Sequence, residues 1–90
     1  MGREYNYSYN IAPNFDLKVF NDTKKTLDSV LDPSMPRRLV EDYDFDGSML
    51  QVYGHPECEV RLCCDWDIGA VFIDSDINLD SYFGDRRLRV

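Results

Sequence analysis

The stretch Glu57-Cys58-Glu59-Val60-Arg61-Leu62-Cys63-Cys64-Asp65-Trp66-Asp67-Ile68 alternates without a break. One parity reads Glu57, Glu59, Arg61, Cys63, Asp65, Asp67, and the other Cys58, Val60, Leu62, Cys64, Trp66, Ile68. Successive side chains of a strand point to opposite faces, so this pattern predicts an antiparallel strand with one face on a core and one in water. It sends Trp66 inward beside Val60, Leu62 and Ile68, and Asp65 and Asp67 outward.

The neighbouring sequence supplies a sheet around that strand. Downstream, Gly69 permits a turn, and Ala70 to Ile73 begins a further strand that runs into Asp74-Ser75-Asp76. Beyond it, Leu79, Tyr82 and Phe83 have the spacing of one helical turn packed on the core. Upstream, Asp46-Gly47 punctuates the chain before a strand through Leu50 and Val52 that ends at Gly54. Residues 34–43 carry no decisive pattern; Ser34 could cap a short helix through Val40, with Pro36 early enough to be tolerated. Asn21 or Asp22 offers the cap of a longer helix, with Leu27, Val30 and Leu31 on one stripe until Asp32-Pro33 stops it. At the start, Tyr5, Tyr7, Tyr9 and Ile11 alternate with polar residues, predicting a strand over residues 4–11. The turn signal Ala12-Pro13-Asn14 separates it from a second strand through Phe15, Leu17 and Val19. The expected order is β-β-α-β-β-β. This is one α+β domain spanning residues 1–90, a largely antiparallel sheet of about five strands with helix on one face.

Composition agrees with a folded chain. Leu, Ile, Val and Phe make up 24 of the 90 residues, above the level at which disorder is expected. The longest apolar run is Ala70 to Ile73, too short for a membrane-spanning helix. No apolar leader core follows Met1-Gly2-Arg3-Glu4, and the three cysteines are an odd set. Both features predict reduced thiols in a cytoplasmic protein.

Charge is distributed unevenly. The net charge is −7, yet residues 41–80 hold eleven acids against the single base Arg61, whereas residues 1–40 and 81–90 are slightly basic. Affinity for nucleic acid comes mainly from Lys and Arg neutralising phosphates, so direct nucleic-acid binding is not expected, nor is binding to anionic membranes. Alternate residues along one strand face are about 6.6 Å apart, and Glu57, Glu59, Asp65 and Asp67 would form a row of negative charges there. Asp74 and Asp76 widen it from the next strand, and Asp42 and Asp44 lie close in sequence. Mutual repulsion in such a row is relieved by a basic partner. Tyr43, Phe45, Tyr53, Trp66 and Tyr82 are the aromatic residues among these charges that could anchor an interface.

Two metal readings arise from the same region. Asp42-Tyr43-Asp44-Phe45-Asp46-Gly47 resembles the first half of an EF-hand calcium loop, with Asp42, Asp44 and Asp46 as candidate ligands. The bidentate Glu required at the twelfth position is Tyr53 here, so the loop is expected to be structural. His55, Cys58, Cys63 and Cys64 are close in sequence, but adjacent Cys63 and Cys64 point to opposite faces of a strand, against a zinc site. Catalysis is not expected either. The single histidine has no activated thiol beside it, because acidic neighbours suppress a thiolate, and no phosphate loop or cofactor motif is present.

In size, charge and α+β pattern the chain resembles nuclease-toxin immunity proteins and phage anti-defence proteins, anti-CRISPR proteins among them. That resemblance implies a small intracellular inhibitor that blocks a basic, nucleic-acid-handling protein by presenting a phosphate-like acidic face. The competing expectation is a binding module unrelated to nucleic acid, either calcium-dependent or a plain adaptor.

Overall fold

In the computed structural model, which describes residues 4–42 and 47–86, the alternating stretch becomes the middle strand of a sheet. The elements run β1 (Tyr7–Ala12), α1 (Leu17–Val30), β2 (Arg37–Glu41), β3 (Met49–His55), β4 (Cys58–Asp65), β5 (Ala70–Ser75) and α2 (Asp80–Phe83), followed by a 3-10 turn at Gly84–Arg86. The strands lie in the order β1-β5-β4-β3-β2, each antiparallel to its neighbours. The α+β class, the antiparallel sheet of five strands and the helix on one face all stand.

Two elements differ from the sequence reading. The stretch through Phe15, Leu17 and Val19 is not a strand. Asp16 is extended at φ −151° and its carboxylate accepts from the backbone N–H of Lys18 and Val19, so the helix starts at Leu17. This is an aspartate N-cap, and it engages before Asn21 or Asp22 can. The stripe facing the sheet is Phe20, Thr23 and Leu27, a helical spacing that three alternating apolar residues upstream of it had masked. Residues 37–41 in turn are a strand and not a short helix. Asp32 holds the preceding turn by accepting from Ser34, and Pro36 has no N–H to offer a helix. Leu39 and Val40 then pair with Gln51 and Leu50 of β3. The observed order is therefore β-α-β-β-β-β-α.

The core lies between α1 and the sheet. Across the sheet Tyr9, Ile73, Leu62, Gln51 and Leu39 sit in register on the helix side, and Phe20, Leu27 and Leu31 pack over its centre. On the opposite face Leu50, Val52 and Cys63 form a second, smaller buried cluster. Tyr9 is wholly buried, and its hydroxyl donates to Asp80 at 2.8 Å while accepting from the Leu79 amide, which ties the C-terminal helix down. At the other side of the core, Asp28 of α1 accepts from the Tyr53 hydroxyl at 2.8 Å, from Lys24 at 3.2 Å and from Arg37 at 3.1 Å. One carboxylate thereby links α1 to β2 and β3.

Partial burial alone would raise the Asp28 pKa, but the Tyr53 hydrogen bond and the Lys24 and Arg37 charges outweigh it and hold the pKa below its ordinary value. A carboxylate with a lowered folded pKa stabilises the fold above its unfolded pKa, and that contribution is lost as pH falls through the folded value. Asp28→Asn should therefore cost about 1 kcal/mol at neutral pH, a modest figure because the site is partly solvated. The difference should vanish in strong acid, as measured by urea unfolding across pH.

Gln51 is the exception in the core. It is 3% exposed between Leu39 and Leu62, and its Oε1 has no hydrogen-bond partner among the described residues. An unsatisfied buried acceptor costs roughly 1–3 kcal/mol. Gln51→Met keeps the volume and removes the acceptor, so it should raise stability by about 1 kcal/mol, read as a higher denaturation midpoint.

Candidate functional site

The acidic residues of the central region do not form one row. The sheet parts them into three places, because β4 has an end at each side and both of its faces are already partly claimed by core.

On the face away from α1, Glu59, Arg61, Asp74 and Asp76 come together. Arg61 is opposite Asp74, and the Asp76 amide donates to the Glu59 carbonyl. The three carboxylates are already engaged. Glu59 accepts from the Tyr5 hydroxyl at 2.5 Å, Asp74 from Ser8 at 2.8 Å and Asp76 from the Glu59 amide at 2.9 Å. Burial and the Glu59 carboxylate push the Tyr5 pKa up, partly offset by Arg61. This group seals the start of β1 to β4 and β5. Glu57 is apart from it, exposed in the β3–β4 turn with His55 and Cys58.

At the opposite end of β4 the reading is reversed for three residues. Asp65 is 5% exposed, so it is not an outward charge; its Oδ1 accepts from the Ile68 amide at 3.0 Å, and its carbonyl accepts from Gly69. Trp66, expected inward, is 59% exposed, and Ile68 is 67% exposed. For Trp66 and Ile68 the cause is that the ladder stops at Asp65 paired with Ala70, whereas Asp65 is covered because its carboxylate folds onto the Ile68 amide of the turn. Residues 66–69 form the turn, and Gly69 closes it at φ +71°, a conformation other residues rarely adopt. Strand parity has no meaning past that point. The signal was present in the sequence, since an Asp that accepts from an amide a few residues on, followed by Gly, is turn chemistry.

Trp66 is held where it is. Its ring meets Phe15 edge to face, with centroids 4.9 Å apart at 82°, and its amide donates to Ser48 Oγ at 2.9 Å. Leu17, 45% exposed, opens α1 two residues after Phe15. Asp67 is exposed at the turn, Asp16 is half-buried at the α1 cap, and Glu41 and Asp42 are exposed at the same end of the sheet. Asp42 takes φ +51° and accepts from the Gly47 amide at 2.6 Å, closing the loop between β2 and β3. Tyr43, Asp44, Phe45 and Asp46 lie outside the described residues. The result is an aromatic and aliphatic patch with carboxylates around it, which the sequence reading did not assemble.

Tyr53 has no part in such a surface. It is fully buried on the helix side, its hydroxyl on Asp28 and its ring under Arg37 at 5.3 Å, and burial drives its pKa far up. The cysteines do not converge on a metal. Cys58 is exposed in the β3–β4 hairpin, while Cys63 and Cys64 are buried on opposite faces of β4. Among the described residues no three His, Cys, Asp or Glu side chains gather as metal ligands, and no helix is long and apolar enough to cross a membrane. An open groove of about 410 Å³ runs between α1 and the C-terminal segment, lined by Val19, Asp22, Thr23, Tyr82, Asp85 and Arg86 among others.

Comparison with protein-family models, with curated proteins and with solved structures finds no match to this chain. Its function has to be argued from the geometry.

Thiol chemistry can be tested directly. Burial pushes the Cys63 pKa to about 12, with Arg61 opposing and Asp74 and Asp65 adding to it, and burial also raises Cys64. Native protein treated with a thiol-specific alkylating reagent at pH 8 should be modified at Cys58 alone, with Cys63 and Cys64 reacting only on unfolding. Peptide mapping by mass spectrometry reads the outcome.

Proposed function

We propose that the domain is a small acidic inhibitor that docks on a basic, nucleic-acid-handling protein through the Trp66 end of the sheet, and that it catalyses no reaction itself. The observation that carries this reading is Trp66, 59% exposed yet held edge to face on Phe15. A large aromatic ring fixed in water loses little freedom when a partner covers it, which is what makes tryptophan an interface anchor. At the same end of the sheet are Asp67 in the Trp66 turn, Asp16 at the α1 cap, and Glu41 and Asp42 at the end of β2, with Lys18 the nearest base in sequence to the patch. Carboxylates beside an apolar centre select a partner with a basic rim around an apolar pocket and speed its approach. A protein that binds phosphates supplies such a rim.

The mechanism is occlusion. Charge at Asp67 and its neighbours takes the place of phosphate, while the Trp66 turn supplies contact area that phosphate lacks. The raised pKa of the buried thiols and the prior engagement of Glu59, Asp74 and Asp76 leave these groups to structure.

The test is capture of basic proteins from cells of the source, with three variants of the bait. Trp66→Ser should cost about 2 kcal/mol or more of binding, because an exposed ring can be removed without opening a cavity. Asp67→Lys should weaken capture at low salt far more than Asp22→Lys, the same charge change on the exposed side of α1. Equal losses from the two reversals would mean that only net charge matters, and retention of partners by Trp66→Ser would move the interface elsewhere.

A further inference from the structure

The two edges of the sheet are not alike. The β1 edge is irregular, with a register shift between Asn10 and Ala12, and Arg86 donates to the Ile11 carbonyl at 2.6 Å. The edge at β2 is regular over Arg37–Glu41, and among the described residues nothing pairs with it. Leu39 sits at its middle, 43% exposed because α1 lies over the centre of the sheet and leaves this margin bare.

The direction of the free backbone groups follows from one hydrogen bond. The Gly54 amide donates to the Pro36 carbonyl at 2.8 Å. Residues opposite each other in an antiparallel pair alternate between bonded and non-bonded, so Arg38 and Val40 share the orientation of Pro36 and bond to β3. Arg37, Leu39 and Glu41 therefore turn their N–H and C=O groups outward. The side chains of these three also share a face, the one carrying α1, because Arg37 is opposite Tyr53 and Leu39 opposite Gln51.

We propose that this edge pairs with the same edge of a second copy, antiparallel about a two-fold axis through Leu39. In that register Arg37 lies opposite the partner copy's Glu41, Leu39 opposite its own equivalent, and every outward backbone group of the strand finds a partner. The sequence Arg37-Arg38-Leu39-Val40-Glu41 is charge-complementary to itself only when read in opposite directions. Parallel pairing would set Arg beside Arg, and an antiparallel slip by two residues would leave Arg37 facing Leu39 and lose the ion pair. Opposite charges directly across a ladder stabilise it, and like charges destabilise it. The two terminal nitrogens of Arg37 are engaged by Asp28 and by the Leu31 and Asp32 carbonyls, so its Nε–H is the donor that serves Glu41 of the other copy without releasing Asp28. The two Arg38 side chains come diagonal to one another on the far face, an exposed repulsion that salt screens.

A two-fold contact of this kind is isologous and closes on itself, giving a dimer with one continuous sheet and no fibre. An edge of about 17 Å buries less than a standard interface, so the dimer is weak. The Trp66 ends of the two copies point in opposite directions, and the proposal does not depend on the partner reading above.

Sedimentation equilibrium from about 10 μM to about 1 mM tests it. The wild-type chain should show a monomer–dimer equilibrium. Glu41→Arg replaces attraction by repulsion at two symmetric places and should raise the dissociation constant about tenfold or more. Leu39→Lys, a charge on a bare edge, should do at least as much. Trp66→Ser should leave the equilibrium unchanged. A chain that stays monomeric to about 1 mM overturns the proposal. So does a dimer lost in Trp66→Ser but kept in Glu41→Arg, which would place the contact on the apolar end.

Discussion

A five-stranded sheet has two faces to cover, and the described residues hold one helix of useful length to cover them. Everything else follows from how β4 meets that constraint. On the helix side Val60, Leu62 and Cys64 are buried under α1. On the other side no helix is present among the described residues, and Cys63 is buried by its cross-strand neighbours Leu50 and Phe72 with Val52 beside them. Both faces of the middle strand are thus apolar at their centre. Charge is driven to the margins and the turns, and this is why the acidic residues of the central region do not line up as a row.

Buried hydroxyls do much of the tying at the periphery. Tyr9 and Tyr53 are both fully buried, one on Asp80 and one on Asp28. Each delivers a large apolar ring to the core and spends its polar end on a carboxylate from another element. A tyrosine close in sequence to acidic residues looks like an interface anchor. Here the same proximity reflects an internal bond, and Tyr53 is committed to the core.

The residues left for recognition are those outside the ladder. Trp66 belongs to a turn, Phe15 to the loop before α1, and Leu17 and Ile68 to positions that α1 and the sheet do not cover. The acidic end and the β2 edge are adjacent surfaces with different chemistry, one an aromatic patch with carboxylates beside it and the other a row of backbone donors and acceptors. Glu41 borders both. A mutation there should be read through the oligomeric state before it is read through partner binding.

Sequence alone determined the core strand, the antiparallel α+β class, the inward set Val60, Leu62 and Cys64, the fifth strand and the packing role of Leu79 and Phe83, though not of Tyr82, which is exposed. These depend on local periodicity and on punctuation by Gly, Pro and Asp, which neighbouring residues carry in full. It also concentrated the charge in residues 41–80 without saying where that charge would stand. Only tertiary structure decided that Arg37–Glu41 would be a strand, because its conformation comes from pairing with Met49–Tyr53 and not from its own propensity. Only tertiary structure turned Trp66 out, because the ladder to β5 ends at Asp65 and a side chain past the last rung no longer obeys the pleat, and only it buried Asp65, the last rung, whose carboxylate accepts from the Ile68 amide of the turn. Periodicity predicts a face while the strand lasts, and where the strand ends is settled by the partner strand.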